Sequence, residues 1–190
     1  MPSATNEAIQ ETIHSYVTDM LALEKHIQTA VAGQIEDLDE HADVKGALIR
    51  IHAMCETHAH ALEAISARRE QNLGGVSKVI KKAASSLLGL GAAAIDFVRT
   101  EKLPKDLRDD YTAISLAYIG YLMLHTTALS LGDTEVADTA RVHLAAHADA
   151  MMALQRIIPA ATIAYLASEN LAPDASILAK VDETISQSWK

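Results

Sequence analysis

Wound as a helix, the segment Thr112–Leu129 is apolar on nearly every side, and a helix of that kind has to lie among other helices. The helix carrying it is read from about 105, just after Pro104, to about 131, where Gly132-Asp133 supplies a stop and a restart. Glycine there serves as a C-cap and aspartate as the next N-cap, so the following helix, about 134–158, folds back antiparallel as far as a break or kink expected at Pro159. A long apolar helix with a tightly connected antiparallel neighbour is half of a helical bundle.

The other half precedes it. Ile9, Ile13, Val17, Met20, Ile27 and Val31 recur at spacings of three, four or seven and predict a helix over about 6–32, stopped by Gly33. Val44, Leu48, Ile51, Cys55, Leu62 and Ile65 predict a second helix over about 39–69, entered through the acidic run at 36–40. After Gly74-Gly75, residues 75–99 read as a helical crossover with a basic start and an Ala/Gly-rich middle. An amphipathic C-terminal helix over about 174–189 presents Ile177, Val181, Ile185 and Trp189. Together these elements predict one all-α domain over 1–190, a four-helix bundle of ferritin-like arrangement with a long helical crossover and extra C-terminal helices.

At 190 residues and 49% hydrophobic content, the chain can bury one real core. Its formal charge of -9 argues against nucleic acid and anionic membranes as partners, because both need clustered Lys and Arg. The run from Leu87 to Val98 falls short of the ~20 residues of a membrane span, and no membrane association is expected. The single cysteine, Cys55, fits a buried hydrophobe in a reducing compartment, and the N-terminal residues lack the pattern of a secretory signal, so a cytoplasmic location is expected.

Nine histidines invite a metal hypothesis, since imidazole suits first-row metals and i, i+4 residues share a helix face. His52 with Glu56, and His143 with His147, each offer two ligands one turn apart, and His125 lies on a stripe with Tyr111, Ile114, Tyr118 and Tyr121. With turns placed near 35 and 132, His52 falls level with residue 19 or 20, and His143 and His147 fall level with 122 and 118. His52, Glu56, His143 and His147 then share a layer, with His125 a turn away. Zn, Ni and Fe are the candidate ions. Glu24 falls in register with the apolar stripe of its helix, an awkward place for an unpaired carboxylate. His14, His26, His41, His58 and His60 are read as surface or boundary residues. No nucleophile with an adjacent base is visible.

The stretches Leu103–Ala113 and Met123–Asp133 resemble bacterial ferritin-like proteins of unknown function, distant relatives of the ferritin-like stress proteins. The resemblance is clearest over 75–160. It implies a four-helix core with added helices, in a homo-oligomer. Di-iron bundles of this superfamily use a Glu from each of two helices and Glu-x-x-His from the other two. Here Glu56 is followed three residues later by Ala59, His143 and His147 lack a matching Glu, and no Glu lies between Asp110 and Leu131. A non-catalytic or stress-associated bundle with metal binding in its core is therefore the expected role. His52 with His143 and His147 is also similar in spacing to His-triad bundles such as metal-dependent thiol transferases, which makes a mononuclear His-rich enzyme, thiol-transferring or hydrolytic, the alternative. A further alternative is an interaction module working through the C-terminal helix.

Overall fold

A computed structural model describes residues 4–39, 41–72 and 102–188, and all regular structure among them is helical. Four long helices, α1 (Ala4–Ile35), α2 (Ala42–Asn72), α3 (Lys102–Ser130) and α4 (Thr134–Ser168), precede a short 3-10 turn at Ala175–Ile177 and α5 (Leu178–Ser188). The crossover expected over 75–99 and Trp189 lie outside the described residues.

Helix α1 packs against α2 and α3, and α4 closes the square by packing against the same two. Every neighbouring pair is antiparallel. Lys25–Glu63 and Glu24–His58 set the α1–α2 register, Gln34–Asp110 and Glu24–Tyr121 that of α1–α3, and Arg68–Glu135 that of α2–α4. Helix α2 thus ends beside Asp133 and α3 begins beside Gln34, at opposite ends of the bundle. Val17, Leu48, Leu62, Ile114, Leu124 and Leu154 are completely buried along the axis, each worth about 1.5–3 kcal/mol of transfer free energy. Against Gly120, Met20 fits so closely that a Cβ there would stand 2.5 Å from its sulfur.

Local chemistry explains the α3–α4 hairpin. Gly132 adopts φ +78°, and its N–H and that of Asp133 return to the carbonyls of Leu129 and Ala128, the two bonds of a Schellman ending. The Asp133 side chain then accepts from Val136 N–H at 3.1 Å and starts α4. At the far end of α4, Asn170 takes the left-handed conformation, and Leu171 N–H reaches back to Leu166.

Three expectations change. Helix α1 runs through Gly33 to Ile35, because the chain turns afterwards, with Asp37 and Leu38 bonded back to Gln34 and Ile35. Helix α4 does not break at Pro159 but continues to Ser168, since proline removes one backbone bond while Leu154 and Ala161 on either side stay buried. Finally, α3 is not enclosed on every side. Leu116, Ile119, Leu122, Met123 and Leu129 on its outer face are about half exposed among the described residues. Both α3 and α4 are long and apolar enough to cross a membrane by length and composition alone, a test that bundle core helices also pass.

Candidate metal centre

Each of the four long helices sends a polar side chain to one level of the core: Glu24 from α1, His58 from α2, Tyr121 from α3, and His143 and His147 from α4. The sequence places them there. Glu24 sits in the stripe of Met20 and Ile27, His58 in that of Cys55 and Leu62, and Tyr121 in that of Ile114 and Leu124. Glu24, Tyr121 and His147 are completely buried, and His58 and His143 nearly so.

Glu24 is the hub. Its Oε1 accepts from the Tyr121 hydroxyl at 2.6 Å, lies 2.9 Å from His58 Nδ1, and faces His147 Nε2 at 3.4 Å. His147 Nδ1 lies 3.0 Å from the backbone carbonyl of His143. A carbonyl can only accept, so Nδ1 carries the proton there, and the neutral ring turns a bare Nε2 toward the carboxylate. His143 stacks on His58 with ring centroids 3.7 Å apart and planes 16° from parallel, and meets the Tyr121 ring edge-on at 5.0 Å. Among the described residues, Glu24 Oε2, His147 Nε2 and His143 Nδ1 are buried without a hydrogen-bond partner.

The electrostatics follow from burial. Burial opposes ionisation of Glu24, but the hydrogen bonds from His58 and Tyr121 and the histidines around it outweigh that and hold its carboxyl below the usual range. Burial drives the His143 pKa down to about 3 and lowers that of His147, so both are neutral. Burial and the Glu24 carboxylate push the Tyr121 phenol up and keep it a donor. The same two causes raise the neighbouring Cys55 thiol, which stays protonated and unreactive. His143 and His147 bring no charge to balance the Glu24 carboxylate, and a buried ion costs several kcal/mol unless it is compensated.

Glu24, His58 and His147 present ligand atoms that all lie within 4.8 Å of one another. An ion with bonds of about 2.0–2.2 Å needs such atoms roughly 3–3.5 Å apart, a spacing that Glu24 already has to His147 Nε2, whereas His58 would first give up the Nδ1 proton it donates to Glu24 at 2.9 Å. One carboxylate and two imidazoles suit Zn or another first-row transition ion better than Mg or Ca, which prefer all-oxygen shells.

Of the residues selected from sequence, His143 and His147 reach this cluster. The others do not. His52 is half-buried and Glu56 exposed on a face of α2 turned away from it, and the His125 Nδ1 is taken by the carbonyl of Ala137 at 2.8 Å. The register explains the error on α2: the residue level with Glu24 is His58, because the helices reach Ile35 and the chain uses residues 36–41 before α2 begins. The α3–α4 register was placed correctly, since its turn is tight. His58, expected at the surface or boundary, is buried on the apolar stripe, three residues after Cys55 and four before Leu62. His14, also expected at the surface or boundary, is completely buried, with neither ring nitrogen hydrogen-bonded among the described residues and Glu70 4.0 Å away.

No protein-family model and no curated protein matches the chain. Among solved structures, the chain is similar to a protein of unstated function from Xanthomonas campestris pv. campestris. The likeness has a TM-score of 0.67 at 17% identity and covers 86% of this chain and 99% of that one. At that identity the likeness speaks for the helical fold alone.

Proposed function

We propose that this chain is a ferritin-like bundle that holds one divalent transition-metal ion in its core through Glu24, His58 and His147, in a structural or stress-associated role without turnover. One observation carries the reading: a completely buried carboxylate has a bare imidazole nitrogen 3.4 Å away and a second oxygen without a partner. A cation at that point satisfies the facing lone pairs and balances the buried charge, which no apolar filling of the same space would do. A single carboxylate at the level where di-metal bundles gather four favours one ion over two. Self-association and a cytoplasmic setting belong to the same proposal. The first rests on the resemblance, the second on the charge and the lone protonated cysteine.

Ligand-linked stability tests the reading. An ion that binds only the folded chain adds about 2.7 kcal/mol at a hundredfold excess over its Kd. Chelator-stripped protein should therefore unfold at a higher temperature when Zn2+ is added, and a Glu24→Gln/His147→Phe variant should show no such rise. An equal rise in both proteins would place the ion elsewhere.

A mononuclear metal-dependent enzyme is the second reading, and the three-ligand set favours it, because catalytic ions keep a coordination position open. The two readings differ in what occupies the fourth position.

A further inference from the structure

Resting on the metal reading above, we infer that His143 supplies the fourth protein ligand, so that Glu24, His58, His143 and His147 close a four-coordinate site with three nitrogens and one oxygen. Three observations point there. The His143 side chain is nearly completely buried within the cluster, and its Nδ1 has no hydrogen-bond partner among the described residues. An orphaned buried polar atom costs about 1–3 kcal/mol, so a nitrogen left in that state calls for a ligand. His143 also stands one helical turn before His147 on the same face of α4, the i, i+4 spacing by which two imidazoles on one helix converge on one ion.

The ring geometry says what must change. Two imidazoles on one tetrahedral ion have their centroids about 5 Å apart, given metal–nitrogen bonds of ~2.0–2.1 Å. His58 and His147 already stand 5.3 Å apart. His143 and His58 stand only 3.7 Å apart, in a stack rather than a chelate. The His143 ring therefore swings out by about 1.5 Å to join the ion, a side-chain rotation that leaves α4 in place. His147 keeps its bond to the His143 carbonyl throughout, because that bond belongs to the backbone. A closed site of this kind holds an ion for structure and leaves no position for water or a substrate thiol. The fourth ligand thus separates the two functional readings.

Cobalt(II) is the probe. Chelator-stripped wild-type protein is loaded with one equivalent, and the imidazoles around the ion are counted by X-ray absorption. His143→Ala and His143→Phe are titrated alongside; the second keeps an aromatic ring against His58 but carries no nitrogen. The expected result is three imidazoles, an intense tetrahedral visible spectrum, and an affinity loss in both variants greater than the roughly 10–100-fold that an outer-shell partner costs. Two imidazoles in the wild type, or either folded variant binding cobalt with unchanged affinity and spectrum, overturns the role of His143 and leaves the three-ligand centre standing. Failure of the wild type to bind cobalt overturns the metal reading itself.

Discussion

His147 donates its Nδ1–H to the backbone carbonyl of His143, 3.0 Å away, and so presents its Nε2 lone pair to the Glu24 carboxylate at 3.4 Å. A proton on Nε2 as well would require the charged ring, which burial disfavours. Two acceptors therefore face each other in the core. Nitrogen-15 NMR of chelator-treated protein should report His147 as the neutral Nδ1–H tautomer. The Nε2–H tautomer would mean that the ring bonds Glu24 directly and would remove the main argument for an ion.

Tyr121 holds the other side of Glu24 with a 2.6 Å hydrogen bond in a fully buried setting. Phenylalanine would keep the ring and its edge contacts with His58 and His143 while withdrawing the only hydroxyl that reaches Oε1 among the described residues. Tyr121→Phe should lower the stability of the metal-free protein by about 1–3 kcal/mol in urea unfolding, the range for a buried charge-assisted bond. A change below about 0.5 kcal/mol would show that Glu24 is held by the histidines alone.

Asp133 does two jobs at the end of the bundle where α4 begins. It caps α4 through Val136 N–H and pairs with the buried Arg69, which also donates to Gln10 at 2.7 Å. Asparagine can keep the cap and lose the charge, whereas alanine loses both. Asp133→Ala should cost about 3–5 kcal/mol, because it strands a buried guanidinium, and Asp133→Asn about 1 kcal/mol less than that. Equal costs for the two, compared by chemical denaturation, would mean that the cap contributes nothing.

Much of this architecture is legible in the residues, and the limits are specific. Apolar stripes located α1 and α2, an almost wholly apolar run located α3, and Gly132-Asp133 marked the start of α4 and fixed that hairpin so closely that His143 and His147 fall level with the expected part of α3. The α1–α2 hairpin lacks such a signal. A turn near 35 sets His52 level with residue 19 or 20; the helices instead run past Gly33 and turn through residues 36–41, and the α2 residue beside Glu24 is His58. Glu24 was visible as a carboxylate on an apolar stripe. Nothing local shows whether such a residue turns inward, because that depends on what three other helices bring to the same level. Pro159 misled for a related reason: tertiary packing outweighs the local cost of a proline.

Asp110, at the opposite end, makes stability depend on pH. Burial, opposed by its 2.9 Å bond from Gln34 and reinforced by Asp106 and Asp109, pushes its pKa from 3.8 up to about 6. The folded chain then keeps a proton that the unfolded chain releases, so this contribution is full below about pH 4 and is lost as pH rises through 6. Asp110→Asn should gain on the wild type by on the order of 2–3 kcal/mol between pH 4 and pH 7.5. A stability difference that stays constant over that window, in denaturant titrations at each pH, would show that Asp110 is already ionised at pH 4 in the folded protein.

The central claim is that the core of this bundle holds one metal ion on Glu24, His58 and His147. Metal per chain, measured by mass spectrometry on untagged protein purified without chelator, tests it most directly, with a His58→Ala/His147→Ala variant beside it. The account predicts about one transition-metal ion per wild-type chain and none in the folded variant. Two ions per chain would restore a di-metal centre, and a wild-type protein that stays empty after incubation with Zn2+, Fe2+ and Ni2+ would contradict the account outright.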